Sequence, residues 1–350
     1  MKKVRNIVLL ALAAGASLAL LAGCGSGAGS ASGSAAAVGS GSAAASGAAS
    51  ASAEANQPEL FLVKDLKVTT SADGKSDRQV TRYEYDASFN KTAKIQSSRQ
   101  VESWSYDADG NVIEHVKDYS SYERTTYQFE NGKCVREDLY KGSSNALSTY
   151  TLNEYDAAGN LVKATVFDAG GNQRTLIEYT YQGDRVATET HNGKLLYEFL
   201  YNADGSYTKR TYYVDLNDGS YFETVYDSSN RYVVDGDGWT HEYQLDANGK
   251  VTLETATAPA GQVRTTEYVR SADGSHVTKT VSDFLSASDS APYQTNVTET
   301  DYESGQPVYS RQQMSDTAGV LSGEVEEHFY TYTDRAGNSY GEPDDTVIPG

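Results

Sequence analysis

Apolar and aromatic residues alternate with polar ones along most of the chain beyond residue 58. In Ile177-Glu178-Tyr179-Thr180-Tyr181, the residues Ile177, Tyr179 and Tyr181 share one face. Leu195, Tyr197, Phe199 and Tyr201 do the same. The i, i+2 spacing returns at Tyr83 and Tyr85, Trp104 and Tyr106, Tyr127 and Phe129, and Tyr330 and Tyr332. Side chains alternate faces along a strand, so a period of two predicts β-structure. Tyr and Thr, both abundant here, suit a pleated and half-buried surface. No long segment with helical period stands outside the first residues of the chain.

Turn residues divide these strands at roughly regular intervals. One series consists of Asn90, Gly110, Gly132, Gly159, Gly183, Gly205, Asn230, Gly249, Gly274, Gly305 and Gly337. Gly and Asn accept positive φ at little cost, which tight hairpin turns require. A second series falls between them, at 141–143, 169–172, 191–193, 217–219, 235–238 and 260–261. Each repeat is then one strand out and one back, a β-meander of about twenty antiparallel strands. An open twisted sheet of that size curls. The expected fold is all-β, with hairpin repeats over 58–340 curling into an open shell or a solenoid-like sheet.

The fullest copies of the repeat are Thr81-Arg82-Tyr83-Glu84-Tyr85-Asp86 and Tyr155-Asp156-Ala157-Ala158-Gly159-Asn160-Leu161, with Tyr106-Asp107-Ala108-Asp109-Gly110-Asn111 close to them. They resemble the YD repeats of the Rhs and teneurin families, over about residues 80–340. The resemblance implies a β-sheet shell or spiral exposed outside the cell. Large Rhs proteins end their shell with an Asp-Pro-x-Gly core motif, and this sequence contains no Asp-Pro. The resemblance therefore implies architecture and no catalytic residue. Asn192-Gly193-Lys194 through Tyr201-Asn202-Ala203-Asp204-Gly205-Ser206 also resembles the cell-wall-binding repeats of Gram-positive surface proteins. Those depend on Trp-rich aromatic cages, whereas this chain has only Trp104 and Trp239.

The start of the chain reads as an address. Lys2, Lys3 and Arg5 precede an apolar stretch from Ile7 to Leu21, followed by Leu21-Ala22-Gly23-Cys24. A basic start, an apolar segment of about 15 residues and small residues before a cut site describe an export signal. Leu-Ala-Gly-Cys resembles the lipobox of bacterial lipoproteins. That resemblance implies a signal peptide over 1–23, cleavage between Gly23 and Cys24, and diacylglyceryl and fatty-acyl (palmitate-like) chains on Cys24. Two acyl chains give a stable anchor where one does not. The expected location is the outer face of the bacterial cell membrane, or the outer membrane where the host has one.

Residues 24–57 are almost entirely Gly, Ala and Ser after the cysteine. Such a segment cannot bury enough apolar surface to fold, so a disordered linker is expected, with an r.m.s. reach of roughly 30 Å. Residues 341–350 form an acidic tail.

Charge narrows the partners. The chain carries −19 at neutral pH. Loss of Lys2, Lys3 and Arg5 with the signal makes it more acidic by three. Phosphate recognition needs clustered Lys and Arg, so nucleic acid is excluded as a partner. Besides the membrane reached through Cys24, a cell-wall glycan or a surface protein remains. Cysteine usage agrees with export without disulfides: apart from Cys24 there is only Cys134, expected as a buried structural thiol.

Candidate chemistry is sparse. The histidines His115, His191, His241, His276 and His328 show no metal-ligand spacing and are expected as surface residues of strands or turns. Asp107-x-Asp109-Gly110-Asn111 and Asp235-Gly236-Asp237-Gly238 lack the rest of a calcium loop, and Asp and Asn beside Gly are what turns select. No nucleophile elbow or phosphate-cradling loop occurs in the body. The expectation is a non-catalytic scaffold or binding surface without metal or cofactor, and alternatively a carbohydrate-binding module that uses exposed Tyr.

Overall fold

In a computed structural model, the residues described are 58–215, 220–288, 291–316 and 318–341. The signal, its cleavage site at Gly23, Cys24, the linker and the tail beyond Gly341 lie outside them. Strands run in chain order as β1 (Leu60–Thr70), β2 (Ser76–Tyr85), β3 (Lys91–Gln96), β4 (Arg99–Tyr106), β5 (Val112–Asp118), β6 (Tyr122–Glu130), β7 (Lys133–Lys141) and β8 (Ala146–Tyr155). They continue as β9 (Leu161–Asp168), β10 (Gln173–Gln182), β11 (Arg185–His191), β12 (Lys194–Tyr201), β13 (Tyr207–Asp215), β14 (Ser220–Tyr226), β15 (Tyr232–Val234) and β16 (Thr240–Leu245). The rest are β17 (Val251–Thr257), β18 (Val263–Arg270), β19 (Val277–Leu285), β20 (Gln294–Glu303), β21 (Gln306–Asp316), β22 (Val325–Asp334) and β23 (Ser339–Tyr340).

All 23 strands belong to one antiparallel sheet. Contacts divide the chain into two units, Glu102–Arg231 and the segments 58–101 with 232–341. The first unit is an antiparallel meander in which consecutive strands pair. In the second unit β1 pairs with β2 on one side and with β22 on the other, through ten register partners from Leu60↔Asp334 to Thr70↔Val325. The expected open shell or solenoid-like sheet is therefore wrong. With β1 joined to β22, the hydrogen-bond connectivity is that of a closed antiparallel β-barrel of 22 strands, to which β23 adds as a short extra strand on β22. Closure leaves the long strands at the two ends of the sequence no free edge, the most complete answer to the edge-strand hazard.

Apolar burial is greatest around the joining strands. Phe61, Leu66 and Val68 of β1 and Val325, Tyr330 and Tyr332 of β22 are buried. Leu66 sits opposite Val80 on one side and Phe329 on the other. In the first unit the buried positions are small or polar: Cys134, Ala164, Thr165, Thr211 and Thr224. Both faces of the second unit carry charge. Lys279–Glu299 lies on one, while His241 and Glu254 lie on the other.

The Tyr-Asp unit works as a two-part clasp. Asp107 Oδ1 accepts the backbone N–H of Asp109 and of Asn111, each at 2.9 Å, and Oδ2 accepts the Asn111 side-chain amide at 2.9 Å. Gly110 N–H donates to the Asp107 carbonyl, and Asp107 N–H donates to the Asn111 carbonyl. This is a three-residue hairpin loop whose last residue, Gly110 at φ 85°, is left-handed. Asp86, Asp156, Asp168 and Asp334 repeat the arrangement with Asn90, Asn160, Asn172 and Asn338. A tyrosine at the strand end supplies the other half before Asp86 and Asp156, and bonds in the same way before Gln182 and Asn202, where no aspartate follows it. The hydroxyls of Tyr85, Tyr155, Tyr181 and Tyr201 each donate at 2.8 Å to a carbonyl of a neighbouring strand, those of Leu62, Cys134, Leu161 and Val186.

The turn glycines Gly110, Gly132, Gly159, Gly183, Gly205, Gly249, Gly274, Gly305 and Gly337 all take positive φ. They occupy two kinds of turn, however. Asn131-Gly132 is a two-residue loop with both residues left-handed, at φ 51° and 74°, closed by the Glu130–Lys133 pair. The Asn90 turn differs from expectation. Its left-handed residue is Phe89 at φ 64°, and Asn90 is the partner of Asp86. The Phe89 ring packs on Phe61 at 4.5 Å, a contact that offsets the strain of the backbone.

Candidate binding surface

Two constellations in the sheet merit a functional reading, one closed and one open. The closed one is centred on His241 of β16. His241 sits opposite Ala256 of β17 in register, which brings its ring beside Glu254 on the same face. Nδ1 lies 2.7 Å from Glu254 Oε1, and Nε2 lies 3.3 Å from Oδ2 of Asp235, the residue that closes the turn between β15 and β16. The Tyr268 hydroxyl donates to Glu254 at 2.8 Å, and the Arg264 guanidinium is 3.6 Å from the same carboxylate. Burial pulls the His241 pKa down, but the two hydrogen-bonded carboxylates outweigh it and push it up to about 9. Glu254 and Asp235 move the other way: burial raises each, and their bonds to His241 hold both below the usual carboxylate range. The Tyr268 phenol is pushed up by burial and by Glu254. The imidazole is only 2 % exposed. It is an imidazolium clamped between two carboxylates, without an open side for a substrate.

The other histidines follow the same pattern more loosely. His328 on β22 bridges Asp65 of β1 at 2.8 Å and Glu326 at 2.9 Å, and Lys67 pairs with Glu326. His115 contacts Glu102 at 2.9 Å and stacks on Trp104. His191 contacts Glu189 at 2.6 Å, and His276 stacks on Tyr302. Only His241 is buried, contrary to the expectation of a surface residue, and the other four are half-buried. Their partners come from neighbouring strands, from turns or from two residues away. Strand register makes the long-range pairs, and spacing along the chain does not carry it. Among the described residues no group of three or more metal-ligating side chains converges on a common point.

In each of the two segments compared with calcium loops, the first aspartate has internal work. Asp107 and Asp235 accept the N–H groups of their own turns, and Asp107 is held below the usual carboxylate range first by the Asn111 amide. Where the turn-opening residue is Ser or Asn, at Ser71, Asn202 and Ser271, an aspartate two positions on takes over. Asp73, Asp204 and Asp273 then cap the turn. This substitution is invisible to a search for Tyr-Asp alone, yet Ser-x-Asp-Gly at 71–74 and 271–274 was a readable signal.

The open constellation is a straight cross-strand row in the first unit. Tyr179, Glu189, Tyr197, Tyr212 and Phe222 are successive register partners across β10 to β14. Tyr197 and Tyr212 stack at 5.0 Å, and Tyr197 contacts Phe199 at 5.9 Å. Tyr212 and Phe222 are 36 % and 38 % exposed. Periodicity placed Tyr197 and Phe199 on a common face, whereas joining them to Tyr212 and Phe222 needed the register. Cys134 is buried on β7, with Sγ directed at the Arg136 carbonyl.

No protein-family model matches the chain, and no curated protein matches it. Among solved structures it is similar to a crystal structure of TcdB2-TccC3-TEV, at 13 % identity and a TM-score of 0.46, covering 80 % of this chain and 16 % of that one. A Photorhabdus luminescens Tc holotoxin pore carrying a TccC3 mutation gives 14 % identity and a TM-score of 0.30, covering 80 % and 19 %. A porin-like protein from Bacteroides uniformis gives 11 % and 0.27, covering 77 % of this chain and 96 % of that one. This chain thus spans less than a fifth of the toxin chains. The TccC3-containing structures are consistent with an Rhs-like repeat relation, and at scores this low they carry no argument about fold or function.

Proposed function

We propose that this chain is an exported lipoprotein, anchored through Cys24, whose β-repeat body serves outside the cell as a non-catalytic scaffold or binding surface. The observation that carries the reading is how the reactive side chains are spent. Turn aspartates cap their own loops, and His241, the most strongly perturbed histidine, is sealed between Asp235 and Glu254. Catalysis needs such groups within reach of a substrate. The anchor is tested by growing cells with a labelled fatty acid: the chain takes up label and sediments with membranes, and Cys24→Ala abolishes both. Label retained by Cys24→Ala would overturn the lipobox reading.

A second reading, a carbohydrate or cell-wall binding module, is favoured by the Tyr197–Tyr212–Phe222 row, where aromatic area stays open to solvent. Tyr and Trp offer large contact area at low entropic cost. Fragment 57–350 incubated with purified cell-wall and polysaccharide preparations, with and without Ca²⁺, separates the two. Saturable retention competed by a defined sugar selects the glycan reading. Absence of retention leaves the scaffold role, with a protein partner to be sought by crosslinking on intact cells.

A further inference from the structure

The tyrosines of β12 to β14 are arranged for a chemistry that neither reading uses. Tyr197 and Tyr212 are direct register partners on adjacent strands, with ring centroids 5.0 Å apart and planes inclined by 28°. A second cross-strand pair, Tyr201 and Tyr207, stands at 5.1 Å, and Tyr207 meets Tyr226 at 5.5 Å. Phe199 links the groups, at 5.9 Å from Tyr197 and 6.2 Å from Tyr207. Within one hairpin and its neighbour, phenol rings thus lie a ring's width apart. The exposed Tyr212 opens the series to solvent.

We propose that Tyr197 and Tyr212 form an oxidative cross-linking site that couples β12 to β13 as a dityrosine. The oxidant is hydrogen peroxide acting through a haem peroxidase or another one-electron catalyst, a class of reagent met outside cells. Each phenol gives up one electron and one proton to become a phenoxyl radical. The two radicals join through a carbon ortho to each oxygen, and the two ortho hydrogens shift to oxygen as the rings regain aromaticity. Two phenols and one hydrogen peroxide thereby give one dityrosine and two waters. The protons of both phenols pass to water.

Three features favour this pair over its neighbours. It combines the shortest centroid separation with the smallest inclination among the tyrosine pairs of these strands. The Tyr201 hydroxyl is committed to the Val186 carbonyl, which holds that ring in place. Tyr213 and Tyr221 are 6.1 Å apart at 52°.

The test treats the full chain with hydrogen peroxide and a haem peroxidase, then maps cross-linked peptides by mass. The expected product is an intrachain link between the peptides bearing Tyr197 and Tyr212, lighter by two hydrogens and carrying dityrosine fluorescence. Tyr212→Phe keeps the ring packing and removes that peptide, whereas Tyr213→Phe leaves it in place. Dityrosine found only between chains, only at other pairs, undiminished in Tyr212→Phe, or not at all would overturn the assignment.

Discussion

Asp107 and His241 show how single residues set the pH range of this sheet. The turn aspartates Asp86, Asp107 and Asp334 are held low first by the side-chain amide of an Asn, and Asp156 and Asp168 first by a backbone N–H. A carboxyl whose folded pKa is depressed stabilises the fold above its unfolded pKa, and the contribution is lost as pH falls through the folded value. Acid should therefore loosen the hairpin ends together. Urea midpoints measured from neutrality downward should fall below about pH 4, and Asp107→Asn should blunt that fall. His241 carries the opposite sign. Its contribution is complete below the unfolded value of 6.5 and disappears as pH rises through about 9. His241→Leu leaves Asp235 and Glu254 facing an apolar group and should cost about 3 kcal/mol near pH 6. The gap to wild type should narrow markedly near pH 10, and an unchanged gap would mean the imidazolium is not what stabilises the cluster. The sequence showed the histidines but not their partners, because Glu254 reaches His241 only through the pairing of β16 with β17.

At the scale of the element, the hairpin with its Tyr-Asp clasp is the unit that repeats. Alternation made the strands legible, and Gly with Asp made the turns legible, since both are local properties of the chain. Phe89 was not legible: a left-handed phenylalanine is acceptable only because the Phe61 ring lies against it, a contact between β1 and the turn after β2. Nor were the bulges, such as those at Ser105/Tyr106 and Glu154/Tyr155, which follow from the three-residue loops and shift register by one. Two substitutions separate the halves of the clasp. Tyr155→Phe removes the hydroxyl that bonds the Cys134 carbonyl and should cost about 1 kcal/mol. Gly159→Val forces a β-branched residue to φ 95° and drives Cβ into the Lys133 ammonium, which itself bonds the Gly159 carbonyl at 2.7 Å. That change should cost roughly 2 kcal/mol or more in a thermal or urea melt. A larger loss from Tyr155→Phe than from Gly159→Val would mean that the hydroxyl, and not the turn, governs the hairpin.

For the molecule as a whole, the decisive contact is the one between β1 and β22. Its register partners are separated by some 250 residues or more, and nothing in an alternating pattern says which distant strand will be the neighbour. Sequence therefore gave about twenty strands of the right kind and left them as an open sheet, whose first strand would be an edge. Closure changes what β1 must be. Leu66 and Val68 are each 2 % exposed, His328 reaches across to Asp65, and the strand's amides and carbonyls have partners on both sides. Hydrogen exchange distinguishes the two arrangements directly. In the closed sheet, amides of Lys64–Thr70 exchange as slowly as those of the interior strand β17, because both depend on opening two ladders. In an open sheet every second amide of β1 would point to solvent and exchange within the fastest class. Deletion of residues 58–70 extends the argument, since it strips β2 and β22 of a shared partner and bares two long edges. The shortened chain should associate or precipitate where the intact one stays monodisperse by light scattering, because unpaired edges recruit other chains. If the deleted chain remained monodisperse and its remaining strands kept their protection, the joining of β1 to β22 would be incidental to the stability of the sheet.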